Sequence, residues 1–141
     1  MGWNTIVVGI DDSEASNRAL ERAADLAQAP EAELVVTSAA AVLTGMAAAH
    51  GVGPWDPADP AEEHRAELTH ARDYLKGRNV TADFVLGAGD PADAILDVAE
   101  EHNADLIVVG TREAKLLERL MSGSVSRAVA KKAHTDVLIV H

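Results

Sequence analysis

A chain of 141 residues, 48% apolar and 25% charged, carries enough material for one core and buries roughly two thirds of the surface its unfolded form exposes. Its 23 acidic against 12 basic residues leave a net charge of −11, which repels a phosphate backbone or an anionic membrane and sets nucleic acid and membrane aside as partners. The absence of cysteine excludes a disulfide framework, a thiolate nucleophile and a zinc-thiolate site, and a reducing, cytoplasmic setting is expected.

The first element, Thr5 to Ile10, is apolar throughout rather than alternating, the mark of a strand covered on both faces. Asp11 and Asp12 interrupt it too early for a signal-peptide core or a membrane span. A helix follows, with Ala19, Leu20, Ala23, Leu26 and Ala27 on one face and Arg18, Glu21, Arg22 and Asp25 opposite. Asp12 or Ser13 supplies its capping oxygen. Leu34 to Ser38 reads as the second strand. From Thr44 to Asp59 neither period is present, and glycines and prolines mark a long connection, either a lid or a disordered segment, with disorder preferred.

The second helix is expected from Asp59-Pro60, a capping carboxylate before proline at the first helical position, to a stop at Gly77. Ala82 to Leu86 is a weaker strand. Asp90-Pro91 opens the third helix, which runs through Ile95, Leu96 and Ala99 with Asp93, Asp97 and Glu100 facing water. Leu106 to Val109 is the fourth strand, a helix follows Gly123-Ser124 and ends near His134, and Val137 to Val140 closes the chain as a fifth strand. Strands alternating with helices imply βαβ units with right-handed crossovers. The expectation is one doubly wound α/β domain over 1–141, its parallel sheet covered by helices on both faces.

In such sheets the ligand crevice lies beyond the carboxyl ends of the strands, where helix N-termini converge. Three segments belong there: Gly9 to Ser13, Gly87 to Asp90, and Val109 through Ser126. In the last, Gly123 lets a phosphate approach the backbone and the hydroxyls of Ser124 and Ser126 donate to its oxygens. Equally, Ser122 and Ser124 are helix caps and Gly123 a turn.

Ile6-Val7-Val8-Gly9-Ile10-Asp11-Asp12-Ser13, Asp105 through Arg112, Gly123-Ser124-Val125-Ser126 and the closing Ala133 to Val140 together resemble the universal stress protein family. The resemblance covers the chain except the 44–59 loop. It implies a five-stranded sheet of order 3-2-1-4-5, homodimers paired through the C-terminal strand, and, in one branch, ATP or AMP in the crevice. In that branch the nucleotide would be held by Ile10, Asp11, Ala39 or Ala40, Gly110, Thr111, Arg112, Gly123, Ser124, Val125 and Ser126, with Asp11 on the adenosine and Ile10 and Ala39 walling the base. Mg²⁺ would enter at Asp11 and Asp12 only alongside nucleotide.

The sequence departs from the branch's pattern at Glu113, which stands where a second glycine is expected and brings a carboxylate towards the phosphates, although Arg112 and Lys115 flank it. The resemblance therefore implies a stress-response signalling protein that binds adenine nucleotide weakly, without catalytic residues and with a protein partner still to be identified. The alternative is a dimeric interaction module that binds none. An ATPase or pyrophosphatase is a third class, for which only Asp11 and Glu113 offer a base.

Other motifs are set aside. Gly87-Ala88-Gly89-Asp90-Pro91-Ala92 formally fits G-x-G-x-x-A, but Pro91 removes an amide and Asp90 repels a pyrophosphate. No Walker A or G-x-S-x-G pattern occurs, and the histidines lack metal-binding spacing.

Overall fold

The computed structural model describes residues 2–11, 13–28, 32–38, 60–87, 89–111 and 125–141. In chain order these form β1 (Thr5–Ile10), α1 (Glu14–Ala27), β2 (Glu33–Ser38), α2 (Pro60–Gly77), β3 (Ala82–Leu86), α3 (Pro91–Glu101), β4 (Leu106–Gly110), α4 (Val125–Lys132) and β5 (Asp136–Val140). All pairings are parallel and the sheet order is β3-β2-β1-β4-β5, as the resemblance implied. The expected elements are present with shifts of one or two residues at their ends, and the 44–59 connection lies outside the described residues.

The pleat of β1 explains the two helical layers. Ile6, Val8 and Ile10 point to one face and join Leu20, Leu34, Val36, Leu75 and Val108 under α1 and α2. Val7 points the other way and joins Val35, Ile95, Val98, Ile107 and Val129 under α3 and α4. Because both faces are covered, the central strands carry apolar side chains at successive positions.

Side chains from the first turn's neighbours fix where helices start. Ser13 caps α1 by accepting from the Ser16 amide at 3.2 Å, and Asp90 caps α3 by accepting from the Asp93 amide at 3.2 Å, with Pro91 next in line. Asp90→Ala is expected to cost about 1 kcal/mol and to lower the melting temperature by roughly 3 °C, read by circular dichroism; an unchanged melt would show that the cap is replaced by water.

At the amino ends of the strands, Asp105 binds β1 to β4. Its carboxylate accepts from the Asn4 amide at 2.9 and 3.1 Å and from the Thr5 amide at 2.9 Å. Partial burial opposes the charged form, but these amides, with Asp105's own, outweigh it and hold the carboxyl below its ordinary value. Nearby, the Trp3 indole N–H donates to Asp136 at 3.0 Å and so fastens the entry of β5 as well.

Candidate functional site

The crevice predicted from topology is the end of the sheet where β1 and β4, neighbours in space, turn to helices on opposite faces. β1 leads to α1 and the other face is served by α4. Asp11 is the first residue past β1. Its amide donates to Ser16 Oγ at 2.9 Å, and its Oδ1 accepts from the Ser13 amide at 3.0 Å, which ties Asp11 to the start of α1. Ser13 rather than Asp11 caps the helix. One carboxylate oxygen of Asp11 thus shapes the loop, and the side chain sits half-buried at the mouth of the crevice.

Gly110 ends β4 against the first turn of α1. A Cβ built there would meet the backbone of that turn, overlapping Ala15 O and lying 2.5 Å from Ala15 C and 2.9 Å from Ser16 N. The glycine is therefore what lets α1 seat directly beside the end of β4. Thr111 continues the pairing with β5, its amide donating to Val140 O at 2.9 Å and its Oγ1 lying 3.3 Å from His141 Nδ1. Arg18 reaches from α1 to donate to the His141 carbonyl at 2.8 Å.

On the far side, Val125 opens α4 half-buried against the second core, and Ser126 is buried beside it. Ile10 is 4% exposed and points into the layer beneath α1 and α2, where it lines a cleft of about 360 Å³ with Asn17, Arg18, His70 and Tyr74. Ala39, Ala40, Asp12, Arg112, Glu113, Lys115, Gly123 and Ser124 lie outside the described residues. Of the expected site residues, then, Asp11, Gly110 and Thr111 cluster at the ends of β1 and β4, and Val125 and Ser126 stand at the start of α4.

The sequence of this chain fits the universal stress protein family pattern over residues 2–141. It belongs to that family. A universal stress protein of Mycobacterium tuberculosis, Rv1636, is 33% identical over 99% of this chain and 97% of its own length. Universal stress protein YxiE of Bacillus subtilis is 34% identical over 98% and 99%. Among solved structures, a universal stress protein in complex with cAMP is 33% identical, with a TM-score of 0.77 over 100% of this chain and 99% of that one.

Within this universal stress protein two features escaped the sequence reading. Glu67, on α2, is only 3% exposed and accepts a hydrogen bond from Ser38 Oγ at the end of β2. Its signal was positional: Glu67, Ala71 and Leu75 recur at four-residue spacing, so the carboxylate falls on the helix's buried stripe. Gly87 is the second. A Cβ there would lie 2.9 Å from Ser38 O and 3.2 Å from Thr37 Oγ1, so this glycine serves the packing of β2 against the turn into α3, and the Asp93 amide further on is engaged by the Asp90 cap. The described residues include no cluster of three or more metal-binding side chains and no helix long and apolar enough to cross a membrane.

Proposed function

We propose that this universal stress protein binds an adenine nucleotide, ATP or AMP, at the carboxyl ends of β1 and β4, and that binding alters its contacts with a protein partner. The observation that carries the reading is the junction at Gly110, where α1 seats without an intervening side chain and Asp11 and Thr111 come to the same end of the sheet. Support also comes from the relative solved with cAMP at 33% identity. Asp11 accepts from a ribose hydroxyl or the adenine amine, and the start of α4, at Val125 and Ser126, faces the phosphates with amides and the positive end of its dipole. Gly123 and Ser124 would complete that cradle, Arg112 would pair with a phosphate, Ala39 would wall the base, and Mg²⁺ would enter only with the nucleotide.

Glu113 sets the strength of the site. A carboxylate near the phosphates weakens triphosphate more than monophosphate, because repulsion grows with ligand charge. No catalytic residue is assigned, and the protein acts as a cytoplasmic binding module, dimeric through β5. The edge position of β5 and its half-buried Val137, Leu138 and Ile139 favour that pairing.

Thermal melts with AMP, ADP, ATP and cAMP test the reading. A nucleotide at about one hundred times its Kd adds about 2.7 kcal/mol, which is expected to raise the midpoint by several degrees, more for AMP than for ATP. Absence of any shift at millimolar concentrations of all four would discard nucleotide binding and leave the dimeric interaction module, and Glu113→Gly would then be expected to create binding absent in the parent.

A further inference from the structure

At the opposite side of the sheet from β5, β3 is the other edge strand, paired to β2 on one side and to no strand on the other among the described residues. Along it runs a cleft of about 400 Å³ bounded by Arg72 and Lys76 of α2, the turn through Asn79 and Thr81, and Phe84 of β3 itself. Arg72 and Lys76 stand four residues apart, hence on one face of the helix and side by side above the strand. The Arg72 guanidinium lies 5.0 Å from the centre of the Phe84 ring, an arrangement that leaves its N–H edges open to a carboxylate.

In a chain with a net charge of −11, the two exposed cations make no ion pair with any described residue, whereas neighbouring Arg78 is engaged by Asp25 and Tyr74. The edge carries no proline, lysine or arginine, and Leu86 at its end is 40% exposed; its one charged residue, Asp83, alternates with Phe84 and so faces the other side of the sheet from the two cations. A strand edge offers main-chain hydrogen bonds, Phe84 offers an apolar seat for alternate side chains, and the cations select acidic residues between them.

We infer that the β3 edge, with Arg72, Lys76 and Phe84, is a docking site for an extended acidic segment of a partner protein, which adds to the sheet as a sixth strand. A second copy of this chain is the poorer occupant. Two-fold pairing of β3 with itself would bring each copy's Arg72 and Lys76 to one shared groove, and both copies carry the same net negative charge.

The test uses the intact chain and a fluorescein-labelled peptide of alternating valine and glutamate, about eight residues long, followed by fluorescence anisotropy. Binding is expected, with at least a tenfold loss in the double variant Arg72→Glu, Lys76→Glu and a smaller loss in Lys76→Gln, both with parental melting curves. The counterpart with lysine for glutamate should bind at least about tenfold more weakly. Hydrogen exchange should show slowed amides within 82–86 only when the acidic peptide is present. No binding at about 1 mM peptide, equal binding by the double charge-reversal variant, or protection elsewhere would overturn the assignment. So would sedimentation showing a dimer that those substitutions dissolve, since the face would then belong to a second copy. The nucleotide-induced thermal shift should be untouched in these variants, so failure of one proposal is separable from failure of the other.

Discussion

Gly110→Ala is expected to destabilise the protein by about 3 kcal/mol, the upper end of the overpacking range, because the added methyl meets main chain rather than a side chain that can turn away. Ala15 and Ser16 sit in the first turn of α1 and cannot withdraw from Gly110 without disturbing the Ser13 cap and the Ser16 Oγ bond to the Asp11 amide. Urea denaturation should show the loss as a lower midpoint with an unchanged slope, and displacement of Asp11 through its bond to Ser16 should also weaken any nucleotide shift. A Gly110→Ala protein within about 0.5 kcal/mol of the parent would mean that α1 does not approach β4 so closely. Loss of nucleotide binding at full stability would make the residue a ligand contact only.

Asp105→Ala is expected to cost about 1 to 2 kcal/mol at neutral pH, since it removes a charged acceptor from amides of two residues at a half-exposed position. The pH dependence carries the sharper signature. The folded-state pKa lies below the ordinary 3.8, so the carboxylate's contribution is complete above that value and declines as pH falls towards and through the lower folded value. The stability difference between the parent and Asp105→Asn should therefore be constant from neutrality down to about pH 5 and shrink below pH 4. A difference that grew on acidification would contradict the assignment of these bonds.

β3, interrupted by Asp83, read only weakly, but the other four strands were legible because each carries an apolar run at successive positions, which two-sided cover tolerates, and that pattern together with alternation of strands and helices fixes the architecture. Their ends were not. Glu33 and Asp136 start strands although polar, because membership is decided by ladder bonds such as that from the Glu33 amide to Asn4 O at 2.8 Å. Capping is local chemistry, so Asp90 was read directly and the first cap was narrowed to Asp12 or Ser13, of which Ser13 makes the bond. What the sequence could not express was contact between distant segments: the seat of α1 on Gly110, and the Ser38 partner that lets Glu67 face inward. For the same reason Gly110 resembled a family motif residue and showed its packing role only once Ala15 was placed beside it. The likeness of Gly87 to a dinucleotide fingerprint has a comparable resolution, because strand and helix packing demand the same small residue that a phosphate would.

The middle strand of the sheet is the first to be synthesised, yet one of its neighbours lies far downstream: Thr5 meets Asp105 across a separation of 100 residues, and Ile6 stands in register with Leu106. On the ribosome, β1 can pair with β2 early, but its second edge stays open until β4 has emerged. At about 5–20 residues per second, that interval lasts from roughly five to twenty seconds, during which Ile6, Val7 and Val8 have cover from only part of the domain. A chaperone that holds nascent apolar strands should accordingly engage the growing chain before β4 appears and release it soon afterwards.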